Sequence, residues 1–295
     1  MMNKWLAVLL LGIPLWVAMG AAQADPIFAN TTGGRLISFD SATPGSIQSN
    51  VGISGVSGGL VGIDFRPATP GTLYGVGNNG GVGSVYVIST ITGVATAIGT
   101  SFALNGTSFG VDFNPVADAL RIVSNSGQNL RITGGGAGVV NIDSALNIGG
   151  VTQTGVVDAA YTNSFAGAIT TTLFVLQDNA AAGSDLLFTQ NPPNNGALTL
   201  PATLAINVSQ LSGFDITADG QAFLSWNGGN QFGTLNLTTG QAVNNGAVGG
   251  GFAGQIVGIS ALNVNAVPEP ETYAMLLAGL GLLGLKARRR KQKAD

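Results

Sequence analysis

The sequence predicts an all-β protein, a β-propeller built from four-stranded antiparallel blades. A short motif recurs at intervals of about 50 residues, which is the length of one such blade. The stretches between the copies are short β-branched and aromatic runs bounded by Gly, Asn and Pro. No sustained helical period occurs between Asp25 and Val267.

The recurring motif places a polar residue, usually aspartate, near the end of an apolar and glycine-containing run. Successive copies are 48, 46, 57 and 45 residues apart, and the last copy carries Ser260 where the others carry aspartate. The five copies are Val61-Gly62-Ile63-Asp64-Phe65, Phe109-Gly110-Val111-Asp112-Phe113, Gly155-Val156-Val157-Asp158-Ala159, Ser212-Gly213-Phe214-Asp215-Ile216 and Val257-Gly258-Ile259-Ser260-Ala261.

Each repeat unit contains the signals of an antiparallel meander. In the first unit, strands are predicted at 72–76, 83–88 and 95–99 after the motif, with a Thr-Gly turn before the last one. The third unit is longer because 191–197, which contains Pro-Pro and Asn-Asn, adds a loop.

The two ends of the domain are predicted to form one blade together. Residues 256–264 supply its first strand, and 26–29, 35–40 and 46–53 supply the other three. This pairing closes the ring and removes exposed sheet edges. The count is then five blades, or six if the long third unit contains an additional meander.

The first 24 residues have the layout of a secretory signal peptide. Lys4 lies in a short positive start, 6–19 is apolar, and Ala22 and Ala24 form a small-x-small cleavage site. We expect Sec export and a mature chain that begins at Asp25.

Residues 267–295 form a second targeting segment. Val267-Pro268-Glu269-Pro270 precede the apolar run 273–285, and a basic cluster that includes Arg288, Arg289 and Arg290 follows. This order resembles the PEP-CTERM sorting signal of Gram-negative bacteria. The resemblance implies processing by an exosortase, release to the cell surface or extracellular matrix, and transient contact of the apolar segment with the inner membrane. As a helix, 13 residues rise only about 20 Å, short of the ~30 Å hydrocarbon core.

Residues 25–266 resemble the bacterial secreted family that carries the domain of unknown function 4394. The resemblance implies a propeller-like fold and no established activity. It rests on Gly34-Arg35-Leu36-Ile37-Ser38-Phe39-Asp40, on Gly62-Ile63-Asp64-Phe65-Arg66-Pro67 with Leu73-Tyr74-Gly75-Val76, and on Gly110-Val111-Asp112-Phe113-Asn114-Pro115 with Leu120-Arg121-Ile122-Val123-Ser124.

The composition excludes several kinds of chemistry. The chain has no His and no Cys, so Ser-His-Asp hydrolysis, thiolate nucleophiles, disulfides and zinc sites built on these ligands are excluded. Residues 25–266 contain four arginines, no lysine and 11 aspartates, a net charge of −7. Such a surface repels phosphate backbones, so no nucleic-acid partner is expected.

The recurring aspartates are the first candidate site. Asp64, Asp112, Asp158 and Asp215 could converge on the central channel and hold Ca²⁺, which prefers several oxygen ligands. Alternatively, each carboxylate accepts hydrogen bonds from the turn after its own strand, and no cofactor is bound.

Other candidate residues have structural explanations beside functional ones. Asn141 with Asp143, and Asp178-Asn179 with Asp185, are calcium candidates or polar turns. Arg66 and Arg121 could contact an anionic ligand or pair with aspartates. The remaining features are predicted to be core aromatics or hairpin connections: Tyr74, Tyr86, Tyr161, Trp226, 134–136 and 249–251.

Two functional hypotheses follow. In the first, the protein is an exported, exosortase-sorted and non-catalytic binding module for polysaccharide or for another surface protein. In the second, it is a calcium-assisted hydrolase or lyase of the propeller type that uses an aspartate pair.

Overall fold

The computed structural model describes residues 24–179, 184–229 and 231–262, together with Gly279. These residues form five four-stranded antiparallel sheets arranged as a five-bladed β-propeller, which confirms the predicted fold class. The predicted signal peptide at 1–24 and the sorting tail at 267–295 lie outside the described residues, apart from Ala24 and Gly279. Where the chain is described, it contains no helix of the length and apolarity that crossing a bilayer requires.

The strands follow one another from the inside of each blade to its outer edge. Strands β1 (Pro26–Thr31), β2 (Arg35–Asp40) and β3 (Thr43–Gly52) belong to blade 5. Blade 1 contains β4 (Gly59–Phe65), β5 (Leu73–Asn79), β6 (Val82–Ile88) and β7 (Ala95–Ala103). Blade 2 contains β8 (Phe109–Asn114), β9 (Ala119–Ser124), β10 (Asn129–Ile132) and β11 (Val140–Ile142). A hairpin, β12 (Asn147–Ile148) and β13 (Val151–Thr152), follows.

The second half of the chain repeats this order. Blade 3 contains β14 (Val156–Tyr161), β15 (Leu173–Gln177), β16 (Leu186–Gln190) and β17 (Leu198–Thr203). Blade 4 contains β18 (Gly213–Ile216), β19 (Ala222–Trp226), β20 (Gln231–Leu235) and β21 (Ala242–Gly246). Strand β22 (Ile256–Ala261) then becomes the innermost strand of blade 5. Two short 3₁₀ turns lie at Pro193–Asn195 and Asn227–Gly229.

Pairing of β1 with β22 closes the ring as predicted. The two strands are antiparallel, with Ile27 opposite Ala261 and Ala29 opposite Ile259, and a register shift occurs after Asn30. The order in this sheet is β22-β1-β2-β3, so the last strand of the chain completes the first blade.

The alternative of six blades is wrong. The third repeat unit is long because 162–172 form an extended connection between β14 and β15, and because the 3₁₀ turn Pro193–Asn195 lies between β16 and β17. The additional hairpin of β12 and β13 stands between blades 2 and 3 and has only two strands. The surplus length therefore forms connections and does not form another blade.

A hydrophobic cluster fills each of the five contacts between neighbouring blades. The contact between blades 1 and 2 includes Tyr74 and Phe113, whose ring centroids are 5.0 Å apart in an edge-to-face arrangement. The contact between blades 4 and 5 includes Phe39 and Phe232, also 5.0 Å apart. Edge-to-face aromatic pairs add to the stabilisation from buried area, so the blades are joined through their flat faces.

The motif glycines allow the innermost strands to approach one another closely. A Cβ atom on Gly110 of β8 would lie 2.4 Å from the backbone nitrogen of Ala159 on β14. A Cβ atom on Gly213 of β18 would lie 2.7 Å from the backbone nitrogen of Ile259 on β22. Neither spacing is compatible with a side chain, which explains why glycine stands two residues before the motif's polar position in four of the five copies.

Candidate functional site

The motif side chains lie on the innermost strands and are buried. Asp64, Asp112, Asp158 and Asp215 stand on β4, β8, β14 and β18 and are between 3% and 6% exposed. Ser260 holds the equivalent position on β22 and is also buried. Carboxylate oxygens of Asp64, Asp112 and Asp215 all lie within 4.8 Å of one another. We call these three carboxylates the acid cluster.

Motif side chains also connect consecutive blades. Three of them accept a hydrogen bond from the backbone N–H that follows the motif position in the next blade around the ring. These bonds run from Phe65 N to Ser260 Oγ (3.1 Å), from Phe113 N to Asp64 Oδ2 (2.8 Å) and from Ala261 N to Asp215 Oδ2 (2.6 Å).

The expectation that each carboxylate accepts hydrogen bonds from the turn after its own strand is therefore wrong. Two motif carboxylates also accept a hydrogen bond from their own strand, and the donor is then the next residue along the chain. These bonds run from Ala159 N to Asp158 Oδ1 (2.8 Å) and from Ile216 N to Asp215 Oδ1 (2.6 Å). Adjacent inner strands stand close enough to donate across the gap, which local sequence does not show.

Two members of the ring have unusual hydrogen-bonding environments. The Ser260 hydroxyl lies 2.9 Å from Asp64 Oδ1 and 3.2 Å from Asp215 Oδ2, so its one proton can serve only one carboxylate at a time. Oxygen Oδ1 of Asp112 is buried and has no hydrogen-bond partner among the described residues. A buried carboxylate oxygen without a donor is costly.

Burial makes these carboxylates harder to ionise. It raises the pKa of Asp64 well above its ordinary value, and the nearby Asp215 carboxylate adds to the increase. Burial, followed by Asp64 and Asp215, raises the pKa of Asp112 in the same way. Burial also raises the pKa of Asp158. For Asp215 burial raises the pKa to about 6, although hydrogen bonds from Ala261 N and Ile216 N favour the charged form.

Arg66 and Arg121 both pair with aspartates. Arg66 forms an ion pair with Asp118 and donates to the hydroxyl of Tyr74 at 3.2 Å. Arg121 is 1% exposed and forms an ion pair with Asp143 at 2.7 Å. The expected pairing is confirmed for both.

Among the other calcium candidates, Asp143 and Asp185 accept hydrogen bonds from protein donors. Asp143 accepts from Arg121 and Arg131, and the side chain of Asn141 donates to the Arg131 carbonyl oxygen. Asp185 is buried and accepts from the backbone nitrogens of Asn179 and Val208. These bonds support the interpretation as structural polar groups.

The aromatic residues belong to the core as predicted, since Tyr74, Tyr86, Tyr161 and Trp226 are all buried. Glycines 134–136 connect the paired strands β10 and β11. Glycines 249–251, in contrast, join β21 to β22, which belong to different blades, so the prediction of a hairpin there is wrong.

A cavity of about 940 Å³ opens on the face where the inner strands end; we call it the axial cavity. Residues that directly follow β4, β18 and β22, namely Arg66, Thr217 and Leu262, line it. Exposed polar side chains also line it, at Asp219, Gln221 and Asn245. Phe165, which is 42% exposed, also lines this cavity. A second cavity of about 770 Å³ lies on the opposite face, where the inner strands begin.

The axial cavity has no signature in the sequence. Phe165 and Gln221 lie in connections between strands, and Asn245 lies in the outer strand β21, all outside the repeated motif. The wall is assembled from several blades, so its composition emerges only from the closed ring.

No curated protein matches the sequence. Solved structures with a similar chain path include a protein from Lactobacillus plantarum (15% identity, 77% of this chain and 67% of that chain, TM-score 0.43). A second is Sqt1 of Saccharomyces cerevisiae (16% identity, 64% of this chain and 48% of that chain, TM-score 0.37). A third is a functionally unknown protein from Desulfotomaculum acetoxidans DSM 771 (15% identity, 82% of this chain and 75% of that chain, TM-score 0.44). The chain spans about half to three quarters of the length of these proteins, and such distant likenesses carry no information on activity.

Two family models match the sequence. The PEP-CTERM protein-sorting motif matches residues 266–291, which confirms the predicted sorting signal. The protein is therefore exported across the inner membrane and directed by an exosortase to the surface or the extracellular space. The model of the domain of unknown function DUF4394 matches residues 35–260, from the second strand of the propeller to its last, and the chain belongs to this family.

Proposed function

We propose that this exported propeller is a non-catalytic binding module and that its axial cavity holds a neutral polysaccharide at the cell surface or in the extracellular matrix. The observation that carries this proposal is the mixed lining of the cavity. Sugars present hydroxyl groups around their edge and apolar C–H groups on their faces. Asp219, Gln221 and Asn245 offer acceptors and donors for the hydroxyls, and the exposed ring of Phe165 offers an apolar face.

The size and shape of the axial cavity also suit a short chain of sugar units. Ligand clefts in proteins are typically about 300–1,000 Å³, and the axial cavity of about 940 Å³ lies at the upper end of this range. A concave space of this kind fits a few sugar units better than the broad surface of a protein partner, which usually docks on about 800 Å² of each molecule.

The charged residues at the axial cavity determine which kind of polysaccharide it favours. Asp25 and Asp219 line the cavity, and Asp40 lies close to Asp25. Burial raises the pKa of Asp25, and the carboxylates of Asp219 and Asp40 raise it further. Arg66, the cation of the lining, is paired with Asp118. Once cleavage leaves Asp25 as the first residue, its α-amino group offsets one of these three carboxylates, and the negative charge that remains favours a neutral polymer over an anionic one.

The alternative of a calcium-assisted hydrolase or lyase has less support. It requires a carboxylate pair that a substrate can reach, because a general acid or base must come within hydrogen-bond distance of the reacting atom. The four motif aspartates are buried on the inner strands, so a polymeric substrate has no access to them.

The test is affinity electrophoresis of the purified protein in gels that contain the exopolysaccharide of the host cell, with a neutral and an anionic polysaccharide beside it. We expect retardation by a neutral polymer. Phe165→Ala should weaken binding roughly tenfold, the loss expected for truncation of a central contact residue. The matched control is Ile169→Ala, since Ile169 lies in the same connection, is 89% exposed and does not line the cavity.

A second pair of variants tests the polar contacts. Asp219→Asn should alter the affinity, while Asp178→Asn, at the cavity on the opposite face, should leave it unchanged. If every polysaccharide fails to retard the wild-type protein, or if Phe165→Ala and Ile169→Ala behave alike, the proposal is wrong. Recovery of a protein ligand that Phe165→Ala releases would identify the other class of partner.

The route to the surface is part of the same proposal. We infer that the Sec machinery exports the chain, that cleavage after Ala24 leaves Asp25 as the first residue, and that the apolar segment 273–285 contacts the inner membrane until the exosortase acts. N-terminal sequencing and the mass of the protein recovered from the cell surface test both cuts.

A further inference from the structure

We propose that the acid cluster on the propeller axis, formed by the carboxylates of Asp64, Asp112 and Asp215, binds one calcium ion. This inference concerns the interior of the ring and does not depend on what the axial cavity holds. It rests on the spacing of the oxygens, on an unsatisfied buried oxygen and on the distribution of the cations in the domain.

The spacing of the oxygens suits one calcium ion. Oxygen ligands lie about 2.3–2.6 Å from Ca²⁺, so two ligands of the same ion can be at most about 5 Å apart. One carboxylate oxygen from each of Asp64, Asp112 and Asp215 lies within 4.8 Å of the others. Three carboxylates are hard oxygen donors, which suit Ca²⁺ or Mg²⁺ better than metals that prefer nitrogen or sulfur.

Asp112 supplies the second observation. Its side chain is 3% exposed, and Oδ1 has no hydrogen-bond partner among the described residues. The other two members of the cluster have both oxygens engaged, Asp64 with Phe113 N and the Ser260 hydroxyl, and Asp215 with Ile216 N and Ala261 N. A bound cation would satisfy the one oxygen that protein donors leave unsatisfied.

Protein cations do not neutralise the cluster in the described part of the chain. Arg121 lies directly opposite Asp112 in the register of β8 and β9, yet its guanidinium contacts Asp143 and Asn194, each at 2.7 Å. Arg66 pairs with Asp118. Asp158 adds a fourth buried carboxylate to the inner strands. Carboxylates concentrated in this way need a positive partner from outside the chain or must take up protons.

The choice of calcium over magnesium follows from the rigidity of the site. Mg²⁺ requires near-octahedral geometry at about 2.0–2.1 Å and usually retains several waters. The acid cluster is held by backbone hydrogen bonds on three different inner strands, and this packed interior has little freedom to contract around a smaller ion. Ca²⁺ tolerates irregular coordination.

The experiment uses the purified full chain, treated with a chelator and dialysed at neutral pH. Metal analysis after equilibration with CaCl₂ should give one calcium per chain, and Ca²⁺ should raise the melting temperature by several degrees where Mg²⁺ at the same concentration does not. Asp112→Asn, which preserves the shape of the side chain, should weaken calcium binding in isothermal titration roughly tenfold or more, because affinity depends on ligand charge.

The control variant is Asp178→Asn. Asp178 is one of the other calcium candidates in the sequence and lies outside the acid cluster, so calcium binding should be unchanged. Absence of bound calcium in the wild-type protein, equal effects of Mg²⁺ and Ca²⁺, or undiminished affinity in Asp112→Asn would each overturn the proposal. Because metal content is measured on the wild-type protein, the test does not depend on the folding of the variant.

Discussion

The innermost and outermost strands of the blades differ in what they demand of the sequence. All six residues of β14 and all four of β18 are buried. In contrast, only two of the nine residues of β7 are buried, and none of the five in β21. An inner strand packs against two neighbouring inner strands and against the next strand of its own blade, whereas an outer strand faces solvent along much of its length. The inner strands therefore carry the repeated motif, and the outer strands do not.

The difference teaches where a repeat can be detected. At the axis, three of the five motif side chains accept a hydrogen bond from the backbone of the next blade, and four of the five copies have glycine two residues before the motif position, so glycine and aspartate recur. At the periphery the constraint is only to present a sheet edge that water can cover. Sequence similarity between blades therefore identifies the inner strands, which lie at the axis, and does not identify the outer strands.

The largest expected effect comes from filling the space between inner strands. Gly110→Ala places a Cβ atom 2.4 Å from the backbone nitrogen of Ala159, and the two strands must move apart. We expect a loss of about 4 kcal/mol or more in the free energy of unfolding, measured by denaturant titration. Gly45→Ala on the outer strand β3 is the control, because its Cβ would come no closer than 4.0 Å to another atom and the change should stay within about 0.5 kcal/mol. Equal losses in the two variants would remove the distinction between axis and periphery.

The second effect is the pH dependence of the calcium-free protein. A carboxyl whose pKa is raised by folding binds more protons in the folded than in the unfolded state, so its contribution to stability is full below pH 3.8 and is lost as pH rises through the folded pKa. Burial raises the pKa of Asp215 to about 6, a difference that corresponds to about 3 kcal/mol for this group alone. In the presence of a chelator, the melting temperature should fall between pH 4 and pH 8.

The variant that tests this pH dependence is Asp215→Asn, in which the melting temperature should fall less between pH 4 and pH 8 than in the wild-type protein. Calcium should also reduce it, since the ion replaces the protons as the positive partner. A melting temperature that rises over the same interval would contradict the assignment of raised pKa values to the buried carboxyls.

The smallest expected effect concerns one hydrogen-bonding side chain of the ring. Ser260→Ala removes the acceptor for Phe65 N and the donor to Asp64. The loss of these two buried hydrogen bonds should lower the free energy of unfolding by about 1–3 kcal/mol, which thermal unfolding can detect. Ser101→Ala on the outer strand β7, where the residue is exposed, should be nearly neutral. An unchanged melting temperature in Ser260→Ala would show that these hydrogen bonds between blades do not contribute to stability.

Sequence was sufficient for the architecture because the architecture is repetitive. The motif around Asp64 and its copies located each inner strand, and the fragment at 256–264 indicated the closure with the N-terminal strand, which the pairing of Ile27 with Ala261 confirms. The sequence leaves the number of blades open between five and six, because length alone cannot distinguish the connection at 162–172 from an additional meander.

Sequence was not sufficient for the site. The partner of Asp64 is Phe113 N, 49 residues along the chain, and no local pattern shows that a carboxylate will accept from the neighbouring blade. Sequence likewise does not indicate Phe165, which stands in the long connection after β14, or Asn245, which stands in the outer strand β21, as residues of one cavity. Both failures have the same physical cause, which is that contacts between blades exist only after the ring has closed.

The closure of the ring also fixes where both ends of the domain emerge. Strand β22 finishes at Ala261 beside the start of β1, and Ala24, Asp25 and Leu262 all stand at the mouth of the axial cavity. The two ends of the described domain therefore emerge side by side, on the face that carries the axial cavity. Any chain attached at either end is thus joined to the propeller on this one face.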